Sequence, residues 1–136
     1  MKIPTKKLKC GFEMPVFGLG TWRMGGGYKK GTNTDKADIN AIRAAIKLGV
    51  MHIDTAELYG EGHTEELVGK AIRGNDRKKL FIASKVNGQN LSYRNVINSC
   101  KASLKRLKTD YLDLYIIHWP NHKISIKTPC APLTIS

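Results

Sequence analysis

Four short apolar runs recur along the chain at intervals of about one strand plus one helix. They are Val16–Thr21, Val50–Asp54, Leu80–Lys85 and Leu112–His118. Between them, apolar residues repeat every three or four positions: Ile39, Ile42 and Ile46; then Leu67, Val68, Ala71 and Ile72; then Val96, Cys100, Leu104 and Leu107. Helical periodicity alternating with brief apolar runs predicts βαβ units and a parallel sheet. Thr34, Thr64 and Ser92 stand where helix N-caps belong, and Gly49 and Gly74 stand where two helices should stop. Ahead of the first run, Lys6–Lys9 and Phe12–Met14 flank Cys10-Gly11 and predict a small hairpin. After Pro120 the periodicity ends; residues 121–136 carry Pro129 and Pro132 and no acid. The expected organisation is one α/β unit over 1–120, with four βα turns, and an irregular tail over 121–136.

Composition narrows the class of function. No run approaches the roughly 20 apolar residues of a spanning helix, so no membrane partner is expected. The net charge of +12 comes from 23 Lys and Arg against 11 Asp and Glu. These basic residues are dispersed, with mild clusters at Lys2–Lys9 and Lys101–Lys108 that lack interleaved aromatics. That pattern describes a solvated lysine-rich surface rather than a nucleic-acid groove. The three cysteines lie far apart without any CxxC, so neither a disulfide framework nor a metal site is expected. No apolar stretch follows the basic residues of the N-terminus, which points to a cytoplasmic location.

Several motif-like features carry less. Gly18-Leu19-Gly20 lacks the third glycine of a dinucleotide fingerprint, since Arg23 stands there. His118 and His122 have a zinc-like spacing, but Pro120 between them breaks the helix such a site needs. His52 and His63 read as ordinary strand and loop residues; Gly25–Gly27 could cradle a phosphate, but a mobile loop is the preferred reading.

The chemistry concentrates at the ends of the runs. Asp54, Lys85 and His118 stand 31 and 33 residues apart, one βα unit each, so they should project from one rim of the sheet. Parallel α/β folds place their chemistry at that rim. Tyr59 follows in the loop just past the second run. A phenol holds its proton at neutral pH and can donate it. A neighbouring ammonium such as Lys85 favours the phenolate and makes Tyr59 a better acid. Asp54 would hold the lysine charged, and His118 would donate to a carbonyl. Together they describe the proton half of a carbonyl reduction, with the hydride left to a cofactor. A structural Asp54–Lys85 ion pair beside an ordinary Tyr-Gly loop is the competing reading of the same spacing.

Gly18-Leu19-Gly20-Thr21-Trp22, the stretch from Asp54 to Gly60 with Gly62, Glu65 and Glu66, Lys85, and the stretch from Asp113 to Pro120 resemble the aldo-keto reductases. The resemblance runs from about Leu8 to Asn121. It implies a partial (β/α)8 TIM barrel preceded by a hairpin, and the reduction of small aldehydes or ketones with NADP(H). By similarity, Asp54, Tyr59, Lys85 and His118 match the family's catalytic tetrad, with Tyr59 as proton donor. Gly20, Thr21, Trp22 and Asp54 match cofactor-binding positions near the nicotinamide. Trp22, Tyr59, His118 and Trp119 match substrate-binding positions. A whole barrel takes about 250 residues, and this sequence of 136 holds four of the eight strands. The resemblance therefore leaves the family's later cofactor contacts without counterparts. The expectation is a truncated chain, weakly active or inactive, able to self-associate through exposed half-barrel edges. A non-catalytic remnant or interaction module is the alternative.

Overall fold

The computed structural model of the chain describes residues 3–7 and 13–124. Strands β1 (Thr5–Lys7) and β2 (Glu13–Pro15) pair antiparallel, with Lys6 opposite Met14. This is the expected hairpin; its turn at Cys10-Gly11 lies outside the described residues. The main sheet contains β3 (Leu19–Gly20), β4 (His52–Asp54), β5 (Phe81–Val86) and β6 (Leu114–Ile117), all parallel and in sequential order. Helices α1 (Asp35–Lys47), α2 (His63–Ile72) and α3 (Tyr93–Leu107) connect them. Among the described residues this makes three complete βα units and a fourth strand, where four full turns were expected.

Sequential strand order has a physical consequence. Right-handed crossovers place every connecting helix on the same face of such a sheet. The core confirms it: Ile42 and Ile46 of α1, Val68, Ala71 and Ile72 of α2 and Leu107 of α3 pack with Ile53 and Ile82 of the sheet. Side chains alternate between faces along a strand. Ile53, Ile82, Ser84 and Val86 therefore turn to the helices, leaving Asp54 and Lys85 on the other face. Winding with one face helix-covered is what a partial barrel requires.

The strands are shorter than the apolar runs, because pairing covers only part of each. Only Leu19 and Gly20 of the first run join the sheet, opposite Ile53 and Asp54, while Val16 and Phe17 lie exposed. The caps divide. Ser92 accepts the backbone N–H of Asn95 as expected. Thr34 occupies the N-cap position of α1, but its hydroxyl donates to Asp38 instead. Thr64 caps nothing: α2 starts one residue earlier, after Gly62, and the buried Thr64 hydroxyl donates to the Met24 carbonyl. Acids in the first turns of α1 and α2, and bases in all three last turns, favour the helix dipoles.

A buried ion pair joins two of the helices to the sheet. The Glu65 side chain is fully buried and accepts from Arg106 Nε at 2.6 Å and from Ser84 Oγ at 2.6 Å. At the opposite end of the sheet from the strand C-termini, Arg77 pairs with Asp113 at 2.7 Å and lies 3.9 Å from the Tyr111 ring centre. Cys100 is a free, buried thiol, its proton held more tightly than usual by burial and by Glu65. No helix among the described residues is long and apolar enough to cross a membrane. Of the tail, only residues 121–124 are described; there the Asn121 amide donates to the Gly88 carbonyl.

Candidate active site

Sheet register brings the strand-end residues together. Asp54 lies level with Gly20 on one side and Ala83 on the other. Lys85 is two residues past Ala83, hence on the same face and one step nearer the rim. Its Nζ donates to Asp54 Oδ2 at 2.7 Å, to the Thr55 carbonyl at 2.8 Å and to the Tyr59 hydroxyl at 3.3 Å. The lysine side chain is 12% exposed and that of Asp54 36%, so the pair is partly withdrawn from water while the carboxylate stays reachable.

Tyr59 opens a tight turn between β4 and α2. Gly60, Glu61 and Gly62 all take positive φ there, at 55°, 57° and 89°. A side chain at Gly60 would meet the Gly25 carbonyl at 2.7 Å. The turn sends the Tyr59 ring back over the sheet end, where it is 9% exposed. His118, one residue past β6, anchors its backbone N–H on the Val86 carbonyl at 2.9 Å. Its ring meets Tyr59 edge-on at 5.5 Å and stacks on Trp119 at 5.1 Å. Trp22 closes the other side, 4.9 Å from Tyr59 and 4.8 Å from Tyr28. These five rings line a pocket of about 390 Å³.

All four candidate catalytic residues thus converge, with Trp22 and Trp119 as walls. Gly20 and Thr21 flank the group differently. A side chain at Gly20 would meet nothing, so the strand end is open there. Thr21 is fully buried, and both its N–H and its hydroxyl donate to the Asp54 carbonyl, at 3.0 and 2.9 Å. A larger groove of about 1100 Å³ runs between α1, α2 and the segment 108–111, and none of the four residues lines it.

Burial lowers the proton affinity of the His118 ring below the ordinary value of 6.5; the Lys85 charge lowers it further, while Asp54 and Glu57 oppose. The ring is therefore neutral at pH 7. Its Nδ1 is buried with no partner among the described residues, which leaves Nε2 to face a ligand. A pH dependence of stability follows. The unfolded chain takes up a proton near pH 6.5 that folded His118 refuses, so stability falls as the pH drops below that value. The Glu66 carboxyl, held below 4.5 chiefly by its hydrogen bond with His63, adds a second loss that begins near pH 4.5. Urea midpoints measured from about pH 8 down to pH 4 should decline across both regions. His118→Asn should flatten the upper decline and leave the lower one.

Three residues escaped the reading of the sequence. Tyr28 forms a pocket wall from within the glycine-rich loop. In that loop the Gly25 N–H donates to Asp38 and the Gly31 N–H to the Gly25 carbonyl. Glu57 accepts from the Asn87 N–H at 2.7 Å and the Asn90 amide at 3.0 Å, tying the loop after β4 to the loop after β5. A carboxylate three positions past a strand end was the available signal. His63, expected to be an ordinary loop residue, is instead the first residue of α2, with each ring nitrogen within hydrogen-bond distance of a carboxylate, Asp35 or Glu66. His52 does lie in a strand, with its ring edge-on to Phe81 at 4.7 Å.

The profile of the Aldo/keto reductase family matches residues 16–134. Methylglyoxal reductase YeaE of Escherichia coli K12 is 47% identical over 107 residues, which cover 79% of this chain and 36% of the relative. Glyoxal reductase of Bacillus subtilis 168 is 42% identical over 118 residues, or 85% of this chain and 39% of the relative. Among solved structures, the thermostable aldo-keto reductase Tm1743 superposes with a TM-score of 0.90 at 47% identity, over 93% of this chain and 47% of its own. An aldo-keto reductase from Klebsiella pneumoniae, solved with NADPH, gives 0.81 at 37% identity, over 95% and 43%. The chain thus spans less than half the length of each of these relatives. With the profile covering most of its residues and the pocket built as described, the chain belongs to the aldo/keto reductase family.

Proposed function

We propose that these residues form the proton-donating half of an NADP(H)-dependent carbonyl reductase acting on small aldehydes or ketones. One observation carries the reading: a single ammonium, Lys85 Nζ, contacts both Asp54 and the Tyr59 hydroxyl at the mouth of an aromatic pocket. The methylglyoxal and glyoxal reductases among the relatives support a small carbonyl substrate.

In this reading the substrate oxygen sits between the Tyr59 hydroxyl and His118 Nε2. Neutral His118 donates one hydrogen bond and sets the direction of the carbonyl. As the carbonyl becomes an alkoxide, Tyr59 transfers its proton to that oxygen. Lys85 donates to the phenolate left behind, and Asp54 keeps Lys85 charged and aimed. The aromatic walls offer a small carbonyl compound apolar surface beside the Tyr59 hydroxyl.

The residues fit a nicotinamide cofactor at one edge. Gly20 leaves open space beside the reachable Asp54 carboxylate, and Trp22 stands next to it. Gly20, Asp54 and Trp22 would hold the nicotinamide end, while buried Thr21 fixes their spacing through the Asp54 carbonyl. When bound, NADPH supplies the hydride.

The test is NADPH consumption with methylglyoxal by a chimera in which this chain replaces the matching part of Tm1743. Steady turnover is expected, and the 136-residue chain alone should be far slower. A chimera that folds and binds NADPH, yet consumes none with methylglyoxal or other small aldehydes, would overturn the reading.

A further inference from the structure

The loop carrying Trp22 and Tyr28 has few apolar residues to bury, yet it builds one wall of the pocket. Its fastenings explain how. The Gly60 N–H donates to the Gly27 carbonyl at 2.6 Å, and the Thr64 hydroxyl donates to the Met24 carbonyl. Asp38 in α1 accepts the Gly25 N–H at 2.9 Å. His63 stands at the centre of these contacts. Its side chain is 4% exposed, with Nε2 2.8 Å from Asp35 Oδ1 and Nδ1 2.9 Å from Glu66 Oε2. The Asp35 contact joins the first residue of α2 to the first residue of α1, the helix into which the loop runs. Gly25 packs against the imidazole so closely that an added side chain would come within 2.9 Å of its Cδ2.

We propose that His63, gripped by Asp35 and Glu66, is a positioning residue that locks the Thr21–Gly31 loop to the Tyr59 turn and so sets the Trp22–Tyr28 wall over the Tyr59 hydroxyl. The chemistry suits a clamp better than a filler. A buried residue serving packing alone would be apolar, whereas here both ring nitrogens face carboxylates from two different helices. Each ring nitrogen thereby meets a carboxylate on a different helix, a pairing no aliphatic side chain could make. Breaking one side leaves a carboxylate without its donor at the root of the loop. The effect on Tyr59 is indirect: it travels through α2, whose first residue is His63 and whose preceding turn is Tyr59–Gly62. This role rests on the reading of the pocket as a carbonyl-reductase site, because only there does the wall shape a substrate.

The chain's two tryptophans, Trp22 and Trp119, both line the pocket and allow a readout that needs no substrate. Chain labelled with 5-fluorotryptophan gives one fluorine NMR signal per residue, assigned with Trp22→Phe and Trp119→Phe. In His63→Gln, one side-chain amide replaces two ring nitrogens. The Trp22 signal should then shift towards its position in urea while the Trp119 signal stays put. Asp35→Asn, which keeps volume and removes charge, should shift Trp22 in the same direction by less. Signals that move together, or do not move at all, would show His63 to be a general packing residue and overturn the proposal. If His63→Gln fails to fold, Asp35→Asn decides alone by the same criterion. A wild-type chimera that folds and binds NADPH yet consumes none would sink the reductase reading and leave this fluorine result standing, so the two failures are distinguishable.

Discussion

Tyr59→Phe in the chimera is expected to lower kcat for methylglyoxal by about a hundred- to ten-thousand-fold, the usual contribution of a positioned general acid. The change is confined to one atom. Phenylalanine keeps the ring contacts with Trp22 and His118, at 4.9 and 5.5 Å, so the pocket retains its walls. Lys85 loses one acceptor and keeps Asp54 and the Thr55 carbonyl. Binding of substrate and cofactor should therefore change little, and the loss should appear in kcat rather than KM. A loss of only a few-fold would mean that water, or another group, delivers the proton.

Arg106→Met is expected to destabilise the fold by about 3–5 kcal/mol, the range for leaving a buried charge without its partner. Glu65 is fully buried and, among the described residues, would keep Ser84 alone as a donor. Against a typical total of about 5–15 kcal/mol, such a loss removes a large share of the stability. The damage would reach the site, because the Arg106 side chain packs against Gly62 at the end of the Tyr59 turn. Urea unfolding measures it. Adding Glu65→Gln to Arg106→Met should restore much of the stability, since a neutral amide is far cheaper to bury than an unpaired carboxylate. A loss below about 1 kcal/mol for Arg106→Met alone would show that solvent reaches Glu65 after the substitution.

Much of the site was legible because spacing carries geometry. Asp54 and Lys85 stand one βα unit apart, and parallel pairing turns equal phases into a shared rim. Ser92 was legible as a cap because its partner, Asn95, lies three residues away. Thr64 presented the same local pattern but failed as a cap. Its hydroxyl could serve either a nearby N–H or a carbonyl from elsewhere, and the Met24 carbonyl, 40 residues back, lies within its reach. His63 was misread for a related reason, since its Asp35 partner is 28 positions away on another helix. Tyr28 and Glu57 lie in loops, where no periodicity indicates direction.

By itself the sequence determined the order of strands and helices, the face each buries, and the rim on which Asp54, Lys85 and His118 emerge. Those properties follow from periodicity and local hydrogen bonding, which act over a few residues and repeat with each unit. The tertiary structure alone decided the turn that carries the expected Tyr59–Lys85 contact, that Tyr28 joins Trp22 in a wall, and that His63 clamps two helix starts. The Tyr59–Lys85 and His63–Asp35 contacts join residues 26 and 28 positions apart, and the Trp22–Tyr28 contact depends on how one irregular loop folds back on itself. Only the packed sheet and helices bring those residues together.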